Sequence, residues 1–426
     1  MRFAVRKAAR ASFAASTWFL AGAAVAAPVE PVHSLVQKEK PAVVETLRQL
    51  VTIESASRDR EGLDRVAQLV GDRLAALGAQ VELREPGADA VRLFDTPAQI
   101  GKAVVARFEG TGKRNIMLLA HMDTVYPRGT LAKRPFRIEG RRAYGPGVAD
   151  EKGGVAVLLH ALAVLKGLGF RDYGKLTVVV NADEEISTPA TRALITRLAA
   201  EHDFVFSCEP SPAPRDELAV VTSGIAAATL VVRGRPAHAG VNPEDGRNAL
   251  LELAHQMLET RNLSDPARGI KFNWTMTQAG TTRNVIPDLA TANADVRVRR
   301  VADYDVVEKA FREAVSKSQL IPETKVEPAF ERRRPPLEVT DRSRALVKKA
   351  QAIYAELGKS LGVDEAGRGG GTDAGFAALS GKPVVLENFG LMGFGYHSPE
   401  SEYVELDSVE PRLYLLTRLI METSRN

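Results

Sequence analysis

The chain has 426 residues, 45% of them hydrophobic and 26% charged, with a formal net charge of +4. That length exceeds one compact core and fits two domains, and the composition excludes a disordered chain. The single cysteine, Cys208, excludes both an intramolecular disulfide framework and a Cys-rich zinc module.

Four basic residues, Arg2, Arg6, Lys7 and Arg10, open the chain, and no acid precedes Glu30. A mostly apolar run follows from Ala11 to Val25 and ends in Ala24-Val25-Ala26-Ala27. Basic start, apolar middle and small-residue cleavage site read as an export signal over residues 1–26. Cutting after Ala26 leaves Ala27 first, whereas cutting after Ala27 would leave Pro28 first. The run is short for a membrane span, so an uncleaved anchor is the lesser reading. Without these four charges the mature chain is neutral, and the case for nucleic-acid binding loses its support. Export places the protein in the periplasm, with release from the cell as the alternative.

From about Pro28 to Leu218 helices alternate with short apolar strands. Helical spacing covers Gln37 to Val51, Arg60 to Leu77 and about Gly154 to Leu168. Strand-like runs cover Ala103 to Phe108, Ile116 to Ala120, Leu176 to Val180 and Phe204 to Cys208. That alternation predicts an α/β/α sandwich. Between about 221 and 331 the order changes. Strands at Ala226–Val232, Phe272–Thr277, Ala290–Val298 and Lys325–Phe330 enclose helices at Ala249–Thr260 and Val306–Ser318. This β-α-β-β-α-β order is ferredoxin-like and reads as an inserted α+β domain. The run Arg332-Arg333-Arg334-Pro335-Pro336 marks the return to α/β character, with a helix at Ser343–Leu357 and a strand at Pro383–Leu386. The expected division is 1–26 signal, 27–220 catalytic, 221–331 inserted lid and 332–426 catalytic again.

Three apolar strands end in acids or a histidine: His121-Met122-Asp123, Asp183-Glu184-Glu185 and Glu209-Pro210. A glycine-rich turn before a helix, Gly145 to Gly154, adds Asp150. Ligands of open α/β sheets gather at the carboxyl ends of strands, so these groups should meet on one rim. Such a concentration of carboxylate is costly without a cation. Mixed imidazole and carboxylate donors suit zinc, and also cobalt or manganese; their number points to two ions sharing a bridge, as in hydrolases of amide or phosphate centres.

The segments H-M-D-T-V at 121–125, G-P-G-V-A-D-E-K-G-G at 145–154, D-E-E at 183–185 and G-Y-H-S at 395–398 resemble the dinuclear zinc aminoacylase/carboxypeptidase superfamily, and within it the glutamate carboxypeptidase group. S-C-E-P around Glu209, R-P-A-H-A-G around His238, N-V-I-P at 284–287, A-D-V-R ending at Arg297 and G-G-G-T-D-A at 369–374 extend the likeness over the mature chain. The resemblance implies that His121 and Glu209 bind one zinc, Glu185 and His397 the other, and that Asp150 bridges both. It makes Glu184 the general base and Asp123 the residue that orients His121. It places His238 in the lid, reaching the active site of the partner in a homodimer to stabilise the oxyanion. Substrate carboxylates need cationic or backbone-amide partners: the candidates are Arg297 by its family position, Arg334 in the basic boundary run and the backbone of Gly369 to Thr372, with Gly370 and Thr372 foremost, while Asn284 is placed to hydrogen-bond the substrate, a small N-acyl amino acid or peptide. One departure stands out: the family continues past Glu185 with glycine and small residues, whereas this chain has Ile186-Ser187-Thr188-Pro189, a stiffer loop.

The resulting expectation is an exported zinc exopeptidase that cleaves the amide bond to a C-terminal amino acid, with glutamate preferred. A broader N-acyl-amino-acid or dipeptide hydrolase and a periplasmic solute-binding protein are the alternatives.

Overall fold

The computed structural model describes residues 27–425; the expected export signal lies outside them. Its elements, in chain order, begin with helices α1 (Val32–Val51) and α2 (Arg60–Leu77) and strands β1 (Gln80–Arg84), β2 (Ala103–Glu109) and β3 (Ile116–His121). Helix α3 (Lys152–Gly167), β4 (Lys175–Asn181), α4 (Arg192–Ala199) and β5 (Phe204–Ser207) follow. Then come β6 (Gly224–Arg233), α5 (Ala249–Glu259), β7 (Lys271–Ala279), β8 (Leu289–Val298), α6 (Asp303–Ser316) and β9 (Lys325–Arg334). The last major elements are α7 (Asp341–Ala355), α8 (Ala374–Ala378), β10 (Val384–Leu386) and α9 (Val409–Ser424).

Six strands form one sheet in the order β1-β2-β4-β3-β5-β10. Only β2 runs against the others; β4, β3, β5 and β10 pair in parallel. Alternate side chains serve opposite faces, the two-residue period of a strand. Val104, Leu118, Val178 and Phe206 pack with the helices α1, α2, α3 and α9, while Val105, Met117, Val179 and Val205 pack with α4 and α8. Helix α3 is buried along most of its length, as its unbroken run of Val, Leu and Ala requires. The architecture is the α/β/α sandwich read from the sequence.

A second sheet, all antiparallel, runs in the order β7-β8-β6-β9. Its β-α-β-β-α-β order is ferredoxin-like, with Leu253, Val307 and Phe311 of its helices in one core with Phe272 and Val296 of the sheet. The sheet's last strand departs from expectation. Arg332 to Arg334, read as a boundary, continue β9, and Pro335-Pro336 ends it. The expected start of the first helix at Gln37 also shifts, because Val32 and Val36 extend its buried stripe by a turn.

Candidate metal centre

Because β3, β4 and β5 run parallel, their carboxyl ends lie side by side. His121 closes β3, Asp183 to Glu185 follow β4 in a tight turn, and Glu209 follows β5. Asp150 arrives from the turn before α3, and His397 from the loop before a short strand at Tyr403–Glu405. Two groups of donors result. His121, Glu184 and Glu209 bring ligand atoms within 4.8 Å of one another, and so do Asp150, Glu185 and His397.

Asp150 joins the two groups. Its Oδ1 lies 3.1 Å from His121 Nε2, and its Oδ2 lies 3.4 Å from His397 Nε2. His397 Nε2 is also 3.3 Å from Glu185 Oε2, and His121 Nε2 is 3.7 Å from Glu209 Oε1. The His121 ring is set by its other nitrogen. Nδ1 lies 3.0 Å from the Asp123 carbonyl and 3.3 Å from the Asp123 carboxylate, which turns Nε2 toward Asp150 and Glu209. Asp123 does more than orient this ring. Its carboxylate accepts the backbone N–H of Glu184 and of Glu185 at 3.0 Å each, and the Ser57 hydroxyl at 2.7 Å.

The donor set fits a divalent cation. Glu184, Glu209, Glu151 and Glu387 are buried within one region, and burial together with neighbouring acids lifts all four above the ordinary carboxylate range. Glu185 is raised for the same reasons, and its buried Oε1 has no hydrogen-bond partner among the described residues. Hydrogen bonds to Asp150 and Glu185 push the half-exposed His397 up to about 10. Charges arranged in this way gather protons or a metal ion.

The remaining candidate residues divide into two sets. A cleft of about 740 Å³ is lined by Asp150, Glu184, Glu185, Glu209 and His397 together with Arg297, Gly370 and Thr372. Arg297 is clamped to Asp295 by two bonds of 2.8 Å and donates to the Gly369 carbonyl at 3.1 Å. The Thr372 hydroxyl is taken by Glu387. Arg334 corrects the expectation of a substrate contact. It is 4% exposed and donates to the Glu184 carboxylate and to the carbonyls of Glu184 and Gly371. As part of β9 it is an internal counter-charge to Glu184, which sequence reading missed because it placed Arg334 in a boundary run.

His238 and Asn284 do not line the cleft. Their chain segments pair instead: His238 forms an antiparallel bridge with Val285, and the Ala239 N–H donates to the Asn284 carbonyl at 2.9 Å, with both His238 and Asn284 exposed. His238 Nδ1 accepts the N–H groups of Gly240 and Val241 at 3.1 Å each, which leaves Nε2–H as its outward donor.

The stiff loop after Glu185 takes the backbone shape that glycine usually supplies: Ser187 and Thr188 have φ of 69° and 56°. The Thr188 hydroxyl donates to Asp373, and Arg192 donates to the carbonyls of Ser187 and Thr188. These contacts hold a conformation that costs L-residues roughly 1–2 kcal/mol each. Among other residues the sequence left aside, Cys208 is buried, Glu151 accepts the His121 N–H, and Lys152 donates to the Ile53 carbonyl.

A parallel sheet whose rim carries paired imidazole–carboxylate sets defines a metal-dependent hydrolase. Residues 117–422 match Peptidase family M20/M25/M40, and the chain belongs to this family of metallopeptidases. It is 43% identical over 423 residues to Carboxypeptidase G2 of Pseudomonas sp. (strain RS-16), covering 99% of each chain. Its fold is similar to that of the M20 family metallo-carboxypeptidase Sso-CP2 from Sulfolobus solfataricus, at TM-score 0.71 and 16% identity, covering 90% of this chain and 99% of that one. Aminopeptidase PepT from Bacillus cereus has a similar fold, at TM-score 0.73 and 20% identity, covering 90% of this chain and 98% of that one.

Proposed function

We propose that this metallopeptidase is a carboxypeptidase that holds two zinc ions and releases a C-terminal glutamate from N-acyl or folate-like substrates. The observation that carries the two-metal reading is Asp150, whose two oxygens each face a different histidine. In this reading His121 and Glu209 hold one ion, Glu185 and His397 the other, and Asp150 both. Bound zinc would lower the pKa of water and polarise the scissile carbonyl. Glu184 is the base rather than a ligand, because Arg334 already engages its Oε1. It accepts a proton from the attacking water and delivers it to the leaving nitrogen. Arg334 opposes the burial that raises Glu184 and so favours its charged, proton-accepting form.

Arg297 and the Gly370 to Thr372 backbone at the cleft wall are the proposed seat of the substrate carboxylates. Phe94 and Met276, each 62% exposed, offer apolar surface in the same cleft for an acyl group. His238, with Nε2–H outward, is proposed to serve the cleft of a partner subunit. Support for a homodimer comes from β7, an edge strand of the second sheet, and from Leu250, Leu251 and Leu258 exposed on α5. Export to the periplasm, with cleavage before Ala27, completes the reading. No helix among the described residues is long and apolar enough to cross a membrane.

The test is a panel of N-acyl amino acids assayed with purified enzyme. Release of glutamate well above release of alanine or leucine supports the reading. Equal turnover across the panel favours the broader N-acyl-amino-acid hydrolase. In the Arg297→Ala variant we expect a rise in KM for glutamate substrates of about tenfold or more, the worth of one charge-assisted contact.

A further inference from the structure

We propose that Glu402 is a positioning residue that locks the loops of His121, Asp150 and His397 into a single metal-binding arrangement. The inference rests on the ligand assignment given above. Glu402 lies five residues after His397 and is 1% exposed. Its Oε1 accepts the N–H of Ala149 at 2.9 Å and of Asp150 at 3.1 Å. Its Oε2 accepts the N–H of Gly147 at 3.0 Å and the hydroxyl of Tyr126. Tyr126 lies five residues after His121 and is 6% exposed.

One carboxylate therefore ties three chain segments, each of which carries a proposed ligand. Its own loop is braced in turn, since the Glu402 N–H donates to the Ser398 carbonyl at 2.9 Å. Among the described residues Glu402 makes no ion pair; all four of its partners are neutral donors. That arrangement uses both oxygens fully. A glutamine in its place would present an NH₂ group toward N–H or O–H donors, so the isosteric change breaks the tie without removing volume.

The position of the tie gives it a role in metal retention. The Asp150 N–H is itself one of the anchored groups, and the Asp150 carboxylate faces both His121 and His397. A shift of the 147–150 turn would move the shared carboxylate away from both histidines together. Residues that orient metal ligands from behind typically govern affinity by 10–100-fold.

Zinc affinity of the full-length protein, measured by competition with a chromophoric chelator, tests the inference, with thermal unfolding of the metal-free form measured alongside. Glu402→Gln should bind zinc about 10–100-fold more weakly, and excess zinc should restore kcat with KM unchanged. Tyr126→Phe, which deletes one hydroxyl, should weaken zinc binding by a smaller factor and decides the matter if the first variant does not fold. A purely structural role would lower the melting temperature of the metal-free variants and leave zinc affinity at the wild-type value; that result would overturn the inference. Wild-type protein that bound no zinc would overturn the ligand assignment and this inference with it.

Discussion

Glu184 and Arg334 form a buried pair at the rim of the cleft, each less than a tenth exposed. An uncompensated charge at such depth is costly: burial raises Glu184 above the ordinary carboxylate range, and the neighbouring arginine offsets part of that rise. Replacing Glu184 by Gln preserves the shape and removes the proton acceptor. Turnover should fall by roughly 10²–10⁴-fold, while metal analysis still finds the wild-type zinc content. Turnover near wild type in that variant would remove Glu184 from the role of base. His121, Asp150, Glu184, Glu185 and Glu209 were legible in the sequence because each follows an apolar strand or a glycine-rich turn, where side chains meet at one edge. The part Arg334 plays inside the protein was not, because three consecutive arginines before two prolines read as a domain boundary and Arg334 as a substrate contact. Glu402 left no signal either: an acid that serves only to accept backbone N–H groups looks like any other acid in a polar loop.

The site also depends on how closely two elements approach. Gly154, in the first turn of α3, sits where a methyl group would come 1.9 Å from the Cys208 carbonyl and 2.6 Å from Glu151 Oε1. The helix start thus lies directly against the end of β5, which keeps Asp150 near Glu209. Gly154→Ala should force the two apart, destabilising the fold by about 1–3 kcal/mol and weakening zinc binding as well. A melting temperature and zinc affinity equal to wild type would contradict this account of the contact. Long elements with a clear apolar period were read to within a few residues, β3 and α2 among them. The five-stranded sheet of Arg137–Glu139, Arg142–Tyr144, Tyr403–Glu405, Met392–Phe394 and Ser211–Pro212 was not. Its strands have two or three residues, too few for a two-residue alternation to show, and its order is set by contacts between distant segments.

The molecule as a whole separates the proposed chemistry into two places. The donor sets sit on the sandwich, while His238 and Asn284 stand on the exposed end of the inserted domain, outside the cleft. The sequence order alone revealed the ferredoxin-like insert, since β-α-β-β-α-β survives without knowledge of register. It did not reveal the distance of His238 from the cleft of its own chain, which depends on how the two sheets are set against each other. If His238 serves a partner subunit, two inactive variants should complement each other. Glu184→Gln and His238→Ala chains, co-expressed and purified together, should regain activity that neither has alone, because one mixed dimer contains a complete site. Activity no higher than that of the separate variants would confine His238 to a structural part.

The central claim is that the paired donor groups exist to hold metal for amide hydrolysis. Its most direct test is zinc titration of the chelated, metal-free enzyme, followed by release of glutamate from an N-acyl glutamate. The account predicts no turnover without metal and recovery that saturates at two zinc ions per chain. Full turnover by the metal-free protein would contradict it.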